Sequence, residues 1–102
     1  MRHVCQRCRE ALSLKRRAVF TFMHRGNERT DSYYFCSTCQ IYNIKCAYDH
    51  FSGETEIYFL APVSKKVGDL HIGMIRQCPQ PRDEYCECGT HQRWSSGLLF
   101  EE

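Results

Sequence analysis

The apolar residues gather in runs separated by polar, turn-forming stretches. Residues 18–24, AVFTFMH, and 32–36, SYYFC, are rich in β-branched and aromatic side chains and read as two strands. RGNERTD between them carries Gly26 and Asn27, which suit a turn, so 18–36 is expected to form a β-hairpin. The period then changes. Ile41, Ile44, Tyr48 and Phe51 recur at spacings of three, four and three, one face of a helical repeat. Ser37 followed by Gln40 has the form of a capping box, and Gly53 can close the far end in a left-handed conformation, so a helix is predicted between them. Farther on, ETEIYFLA (54–61) and LHIGMIRQ (70–77) alternate, the second with Leu70, Ile72 and Met74 on one face. Both are predicted to be strands, paired antiparallel across a loop at 62–69. From Cys78 onward regular signals are few.

At 102 residues the chain has the length of one domain, and no apolar run approaches the ~20 residues that cross a bilayer as a helix. Met1 is followed by Arg2 and His3 rather than by a secretory signal, so a cytoplasmic location is expected. That expectation changes the meaning of the eight cysteines, which in a reducing compartment point to metal or redox chemistry rather than a disulfide framework. Net charge is +2, but residues 1–29 carry +6 and the remainder −4. A basic first third is compatible with an anionic partner. Equally, Arg and Lys can offset the −2 left when four thiolates bind one divalent ion.

Cys5 and Cys8 form one Cys-x-x-Cys pair, and Cys36 and Cys39 another, with the predicted hairpin in the 27 residues between. Two intervening residues let a tight turn present both sulfurs to one ion, so four thiolates in this pattern suit tetrahedral Zn2+. CQRC, the hairpin AVFTFMHRGNERTDSYYF and CSTCQIYNIKCAYDHF together resemble the treble-clef and zinc-ribbon-like class of zinc fingers, over about half of the chain. The resemblance implies an α+β fold: a knuckle, a hairpin and a helix over 1–53. The strand pair and remaining cysteines of 54–102 would pack on it as one compact domain. Arg9 stands where such knuckles often have Gly. A strand, a Cys-x-x-Cys and a helix also make a thioredoxin-like site, in which the helix N-terminus would lower a thiol pKa. The extra pair and the lack of a βαβ unit upstream count against it.

CPQPRDEYCECGTH holds a second set of donors, Cys78, Cys86, Cys88 and His91, close enough for a Cys3His site that would order a stretch with little else to hold it. One Zn2+ is thus expected, with a second at this cluster. On the predicted helix Cys46 and His50 lie four apart and could replace a ligand; alternatively, Cys46 is a small buried side chain.

The expected function is a non-enzymatic zinc-binding interaction module, an accessory subunit or regulator. It would bind a protein or nucleic-acid partner through Lys15, Arg16, Arg17, Arg25, Arg29 and Lys45, with no membrane contact and no small-molecule substrate. Tyr33, Tyr34 and Tyr42 could stack on bases or simply pack in the core. The alternative is an enzyme: a metal-dependent nuclease using His24 and His50 with Asn43, or a thiol oxidoreductase using Cys36 and Cys39. His3 and His71 have surface or core-edge roles, and Trp94 with the apolar tail 97–100 packs on the core or docks on a partner.

Overall fold

Pairing on both edges, not helical periodicity, decides the centre of the chain. A computed structural model describes residues 4–12, 16–24, 26–50, 53–83, 86 and 88–96. In it Ala18–His24 (β1) and Asn27–Cys36 (β2) form the expected hairpin, but β2 begins well before Ser32. His24 pairs with Asn27, so the turn between the strands is only two residues long. The predicted helix is instead a third strand, Ile41–Asp49 (β3), antiparallel to β2 along its whole length. Thr55–Phe59 (β4) pairs with the far half of β3, and the short Val63–Ser64 (β5) with its near end. The sheet order is β1-β2-β3-β4, with β5 also on β3.

The physical reason for the mistaken helix lies in β3. Ile41, Tyr42, Asn43 and Ile44 are all buried, because opposite faces of the strand pack against different parts of the chain. A strand covered on both faces loses its period-2 signature, and the remaining apolar spacing mimics a helix. Ser37 and Gln40 do contact, Gln40 Nε2 donating to the Ser37 carbonyl at 2.6 Å, but within the β2–β3 turn. Gly53 does adopt a left-handed φ of 98°, in the β3–β4 connection. The helix that a treble clef places after its second ligand pair is therefore a strand here.

The predicted strand over 70–77 is likewise overturned: Lys65–Gln77 is an α-helix, α1. Ser64 caps it, its Oγ accepting from the Val67 N–H at 3.2 Å. Lys65 Nζ donates to Asp69 Oδ2 at 2.6 Å, one turn on. The buried residues Gly68, His71, Ile72 and Ile75 lie at helical spacing, which the alternation of Leu70, Ile72 and Met74 obscured. Leu70 in fact points outward, 62% exposed. Gly68 is needed for contact, since a Cβ there would fall 2.0 Å from the Tyr42 ring. The last element is the helix α2, Gly89–Ser96.

The result is an α+β fold with helices on one face of an antiparallel sheet. Phe20, Phe22, Tyr33, Tyr42, Ile44 and Cys46 point to that face and pack with Ile72, Ile75 and Trp94. Trp94 is fully buried, its ring 4.7 Å from Phe20 and 5.7 Å from His71. His71 is a core residue, its Nδ1 3.0 Å from the Tyr33 hydroxyl. On the opposite face, at the β2–β3 turn, a smaller cluster joins Tyr34, Cys36 and Ile41 to Cys5 and Leu12. No helix among the described residues is long and apolar enough to cross a membrane.

Candidate metal centres

Cys5, Cys8, Cys36 and Cys39 come together where the N-terminal segment meets the β2–β3 turn, with one donor atom from each within 4.8 Å of the others. Both pairs use the same local geometry. The Arg9 N–H donates to the Cys5 carbonyl at 2.9 Å, and the Gln40 N–H to the Cys36 carbonyl at 2.8 Å. Arg9 and Gln40 each follow the second cysteine of their pair and both have positive φ, 66° and 56°. That conformation explains why Gly suits the position and what Arg9 costs: a left-handed L-residue is strained by about 1–2 kcal/mol. A β-bridge between Val4 and Ala11 closes the first knuckle, as β2 and β3 close the second.

The donor set fits a tetrahedral ion. With metal–sulfur bonds of about 2.3 Å, the sulfurs of a tetrahedral site lie about 3.8 Å apart. Cys8 and Cys36 are 3.7 Å apart, much farther than the ~2.05 Å of a covalent S–S bond. Burial alone would raise the Cys5 pKa, but the backbone N–H groups of Cys8 and Arg7 and the amide of Asn43 outweigh it and draw it down to about 6. Cys39 is pushed up to about 12 by burial and by the neighbouring cysteines. The chain after Cys39 enters β3 rather than a helix, so the helix terminus that a thioredoxin-like site would use is absent there. Crowded thiolates repel one another, and a divalent cation among them removes that penalty. Asn43 also fastens the first knuckle to β3, its Oδ1 accepting from the Gln6 N–H at 3.0 Å.

The second cluster, Cys78, Cys86, Cys88 and His91, is built from helix ends. Cys78 is the C-cap of α1, its N–H bonded to the Ile75 carbonyl at 3.0 Å. Cys88 precedes α2, and its Sγ accepts from the His91 N–H at 3.4 Å. Burial opposes ionisation of Cys88, but the His91 backbone N–H and side chain overcome it and bring the pKa down to about 6. Cys78 is pushed up to about 12 by burial and by Cys88 and Cys86. Cys78 and Cys86 sulfurs are 3.8 Å apart, again a tetrahedral edge.

His91 is aimed by a residue that sequence reading missed. Its Nε2 lies 2.9 Å from the Thr21 carbonyl in β1. A carbonyl only accepts, so Nε2 carries the proton. The Nδ1 lone pair then faces Cys78 and Cys88, at 3.3 and 3.2 Å. A hydrogen bond to the other ring nitrogen fixes the tautomer and the orientation of a histidine that faces a metal. Nothing in the spacing of the cysteines signals Thr21, because its contribution is a backbone carbonyl on the edge of the sheet. Each cluster could hold one metal ion.

The remaining candidate residues are scattered or buried. Cys46 joins neither cluster: it lies in the core with its thiol 3.1 Å from Asp31 Oδ1, and burial raises its pKa. His50 follows β3, with Nε2 3.3 Å from Glu56 Oε1 and its ring 4.9 Å from Tyr48, and contacts neither cluster. Asn43 and His50 are seven residues apart along extended chain, about 23 Å at 3.3 Å per residue, and so do not converge. His24 ends β1, its side chain outside the described set. Arg29, expected on a binding face, is buried and paired with Asp31 through contacts of 2.8 and 3.1 Å. Tyr33, Tyr34 and Tyr42 are buried as well, unavailable for stacking on bases. Lys45 is half-buried on the sheet face away from the helices, while Arg16 and Arg17 are exposed. Lys15, Arg25, His3 and residues 97–100 lie outside the described residues.

Comparison with protein-family models, curated proteins and solved structures finds no match to this chain.

Proposed function

We propose that the protein is a non-enzymatic interaction module stabilised by two Zn2+ ions. The observation that carries this reading is that each cluster brings four protein donor atoms within 4.8 Å of one another, with a sulfur–sulfur edge of 3.7 Å in the first and 3.8 Å in the second. Four protein ligands leave no position for water or substrate, the arrangement of structural rather than catalytic zinc. Thiolate and imidazole donors suit Zn2+ better than Mg2+ or Ca2+, which prefer oxygen. The paired knuckles, each closed by a β-bridge or hairpin, support the zinc-ribbon side of the resemblance over the treble clef. A cytoplasmic location fits thiols kept reduced.

With its ions bound, the module presents exposed basic residues, Arg16 and Arg17 among them, to a protein or nucleic-acid partner. Native mass spectrometry with metal analysis tests the first part: two Zn per folded chain are expected. Thiol titration tests the non-enzymatic part. The cysteines should stay masked until a chelator is added, whereas immediate reaction of Cys36 and Cys39 in the native, metal-loaded protein would favour a thiol oxidoreductase. Retention of a partner from a host lysate by the zinc-loaded protein, and its loss in Arg16→Ala/Arg17→Ala, tests the binding part.

A further inference from the structure

We propose that the cleft between α1 and the β1–β3 part of the sheet is a binding site for a phosphate monoester, held between Arg17 and Arg76. The cleft has a volume of about 250 Å³ and is lined by Arg17, Tyr42, Asp69, Ile72, Gly73 and Arg76. Arg17 comes from the residue before β1, its N–H extending the ladder to the Tyr33 carbonyl at 2.8 Å. Arg76 comes from the last turn of α1. Two cations far apart in sequence thus border one small concavity.

Neither guanidinium has a carboxylate at ion-pair distance among the described residues. The one acid in the cleft, Asp69, is already engaged: Lys65 Nζ donates to Oδ2 at 2.6 Å and the Tyr42 hydroxyl to Oδ1 at 2.5 Å. These two bonds hold its pKa below the usual carboxylate range. Burial and Asp69 push the Tyr42 phenol up to about 12 while Arg17 and Arg76 both pull it down, so both cations act on the same point in the cleft. The Arg17 guanidinium lies over the Phe35 ring, 4.9 Å from its centroid. Stacking restrains the plane of the group and leaves its in-plane N–H fork free for an oxyanion.

The size and charge select the ligand class. Two guanidiniums around a single acceptor match a dianion better than a carboxylate or a phosphodiester, each of which carries one charge. Gly73 leaves the wall open, with nothing within 4 Å of a Cβ placed there, so the organic part of an ester has a way out of the cleft. This inference deepens the interaction reading and rests on it for the macromolecule that would carry the phosphate. The site itself is testable without that partner.

The experiment is an NMR titration of the zinc-loaded full chain with inorganic phosphate and phenyl phosphate, and with acetate and dimethyl phosphate as singly charged controls. Saturable shifts at Gly73 and at the Arg17 and Arg76 side chains are expected for the two dianions and not for the controls. Binding should weaken as pH falls through the second phosphate pKa of about 6. Arg17→Gln and Arg76→Gln should each weaken phenyl phosphate binding about tenfold or more, the worth of one charge-assisted contact. Arg82→Gln, an exposed arginine outside the cleft, should leave it unchanged. Gly73→Glu, at an open helix position, should abolish it by filling the cleft with a carboxylate. Arg76 is exposed in the last turn of α1, so Arg76→Gln leaves the buried core intact and a folded variant reads the site directly. Non-saturable shifts, equal binding of the controls, or equal losses with Arg82→Gln would overturn the proposal and leave only diffuse attraction to a basic surface. Phosphate binding without any retained partner would instead keep the cleft and sink the macromolecular reading.

Discussion

The two cysteine clusters reach the same donor geometry by opposite routes. The first is made of two nearly identical knuckles, each closed by its own backbone bond from a left-handed residue to the first cysteine's carbonyl. Half of it belongs to the β2–β3 hairpin, which is already held by a full antiparallel register. The second has no such frame. Its donors come from the end of α1, a loop and the start of α2, and its histidine is aimed by Thr21 on a different element. Thr90 Oγ1 adds a bond to the Met74 carbonyl at 3.0 Å, and the Thr21 N–H donates to the Pro81 carbonyl at 2.8 Å. A metal in the first cluster would fasten a short segment onto a finished sheet. In the second it would join two helices to each other and to β1, so more of the fold depends on it.

Because the second cluster ties together more of the fold, Cys88→Ser should be the most damaging single change. It should remove one metal equivalent and lower stability by on the order of 5 kcal/mol, since the free energy of binding structural zinc is folding free energy. Trp94 is the only tryptophan and is fully buried between Phe20 and His71, so its emission should shift to the red as α2 leaves the sheet. Cys39→Ser should also cost one metal equivalent, but with Trp94 emission unchanged at low temperature and a smaller fall in the urea midpoint. Equal red shifts in the two variants would mean that the clusters fail together and that the contrast between them is empty.

Gly68→Ala examines the helix that carries Cys78. The new Cβ would meet the Tyr42 ring at 2.0 Å, so α1 must lift or Tyr42 must move. Overpacking of this kind costs about 1–3 kcal/mol. Both metals should remain bound, and a thermal melt at constant zinc would read the loss. An unchanged melting temperature would show that α1 does not sit on β3 as closely as described. The smallest effect is expected for Arg9→Gly in the first knuckle. Relief of left-handed strain is partly offset by the greater freedom of glycine in the unfolded chain, leaving a gain within about 1 kcal/mol. Destabilisation by that variant would argue against the positive φ at Arg9.

What the sequence determined by itself was local. Cys-x-x-Cys needs only one tight turn to bring its sulfurs together, so each pair of the first cluster was legible from spacing; the second was suggested only by its run of donor types, with Cys46 and His50 left as alternatives until the fold placed them elsewhere. The 18–36 hairpin was legible too, because its strands carry strong β-formers around a short turn. The rest required partners distant in the chain. Residues 41–49 carry a helical apolar spacing, but become a strand because β2, β4 and β5 pair with its edges and packing covers both its faces. Residues 70–77 alternate like a strand, yet Ser64 caps a helix and Gly68 lets it touch Tyr42. Arg29 looked like one more surface charge until Asp31, two residues along the same strand face, was buried beside it. The orienting carbonyl of Thr21, and the meeting of Arg17 with Arg76 at one cleft, have no signature in sequence at all. They arise only when β1, the end of α1 and the start of α2 are packed together, because a hydrogen bond or a charge pair depends on distances between atoms that the order of residues along the chain does not set.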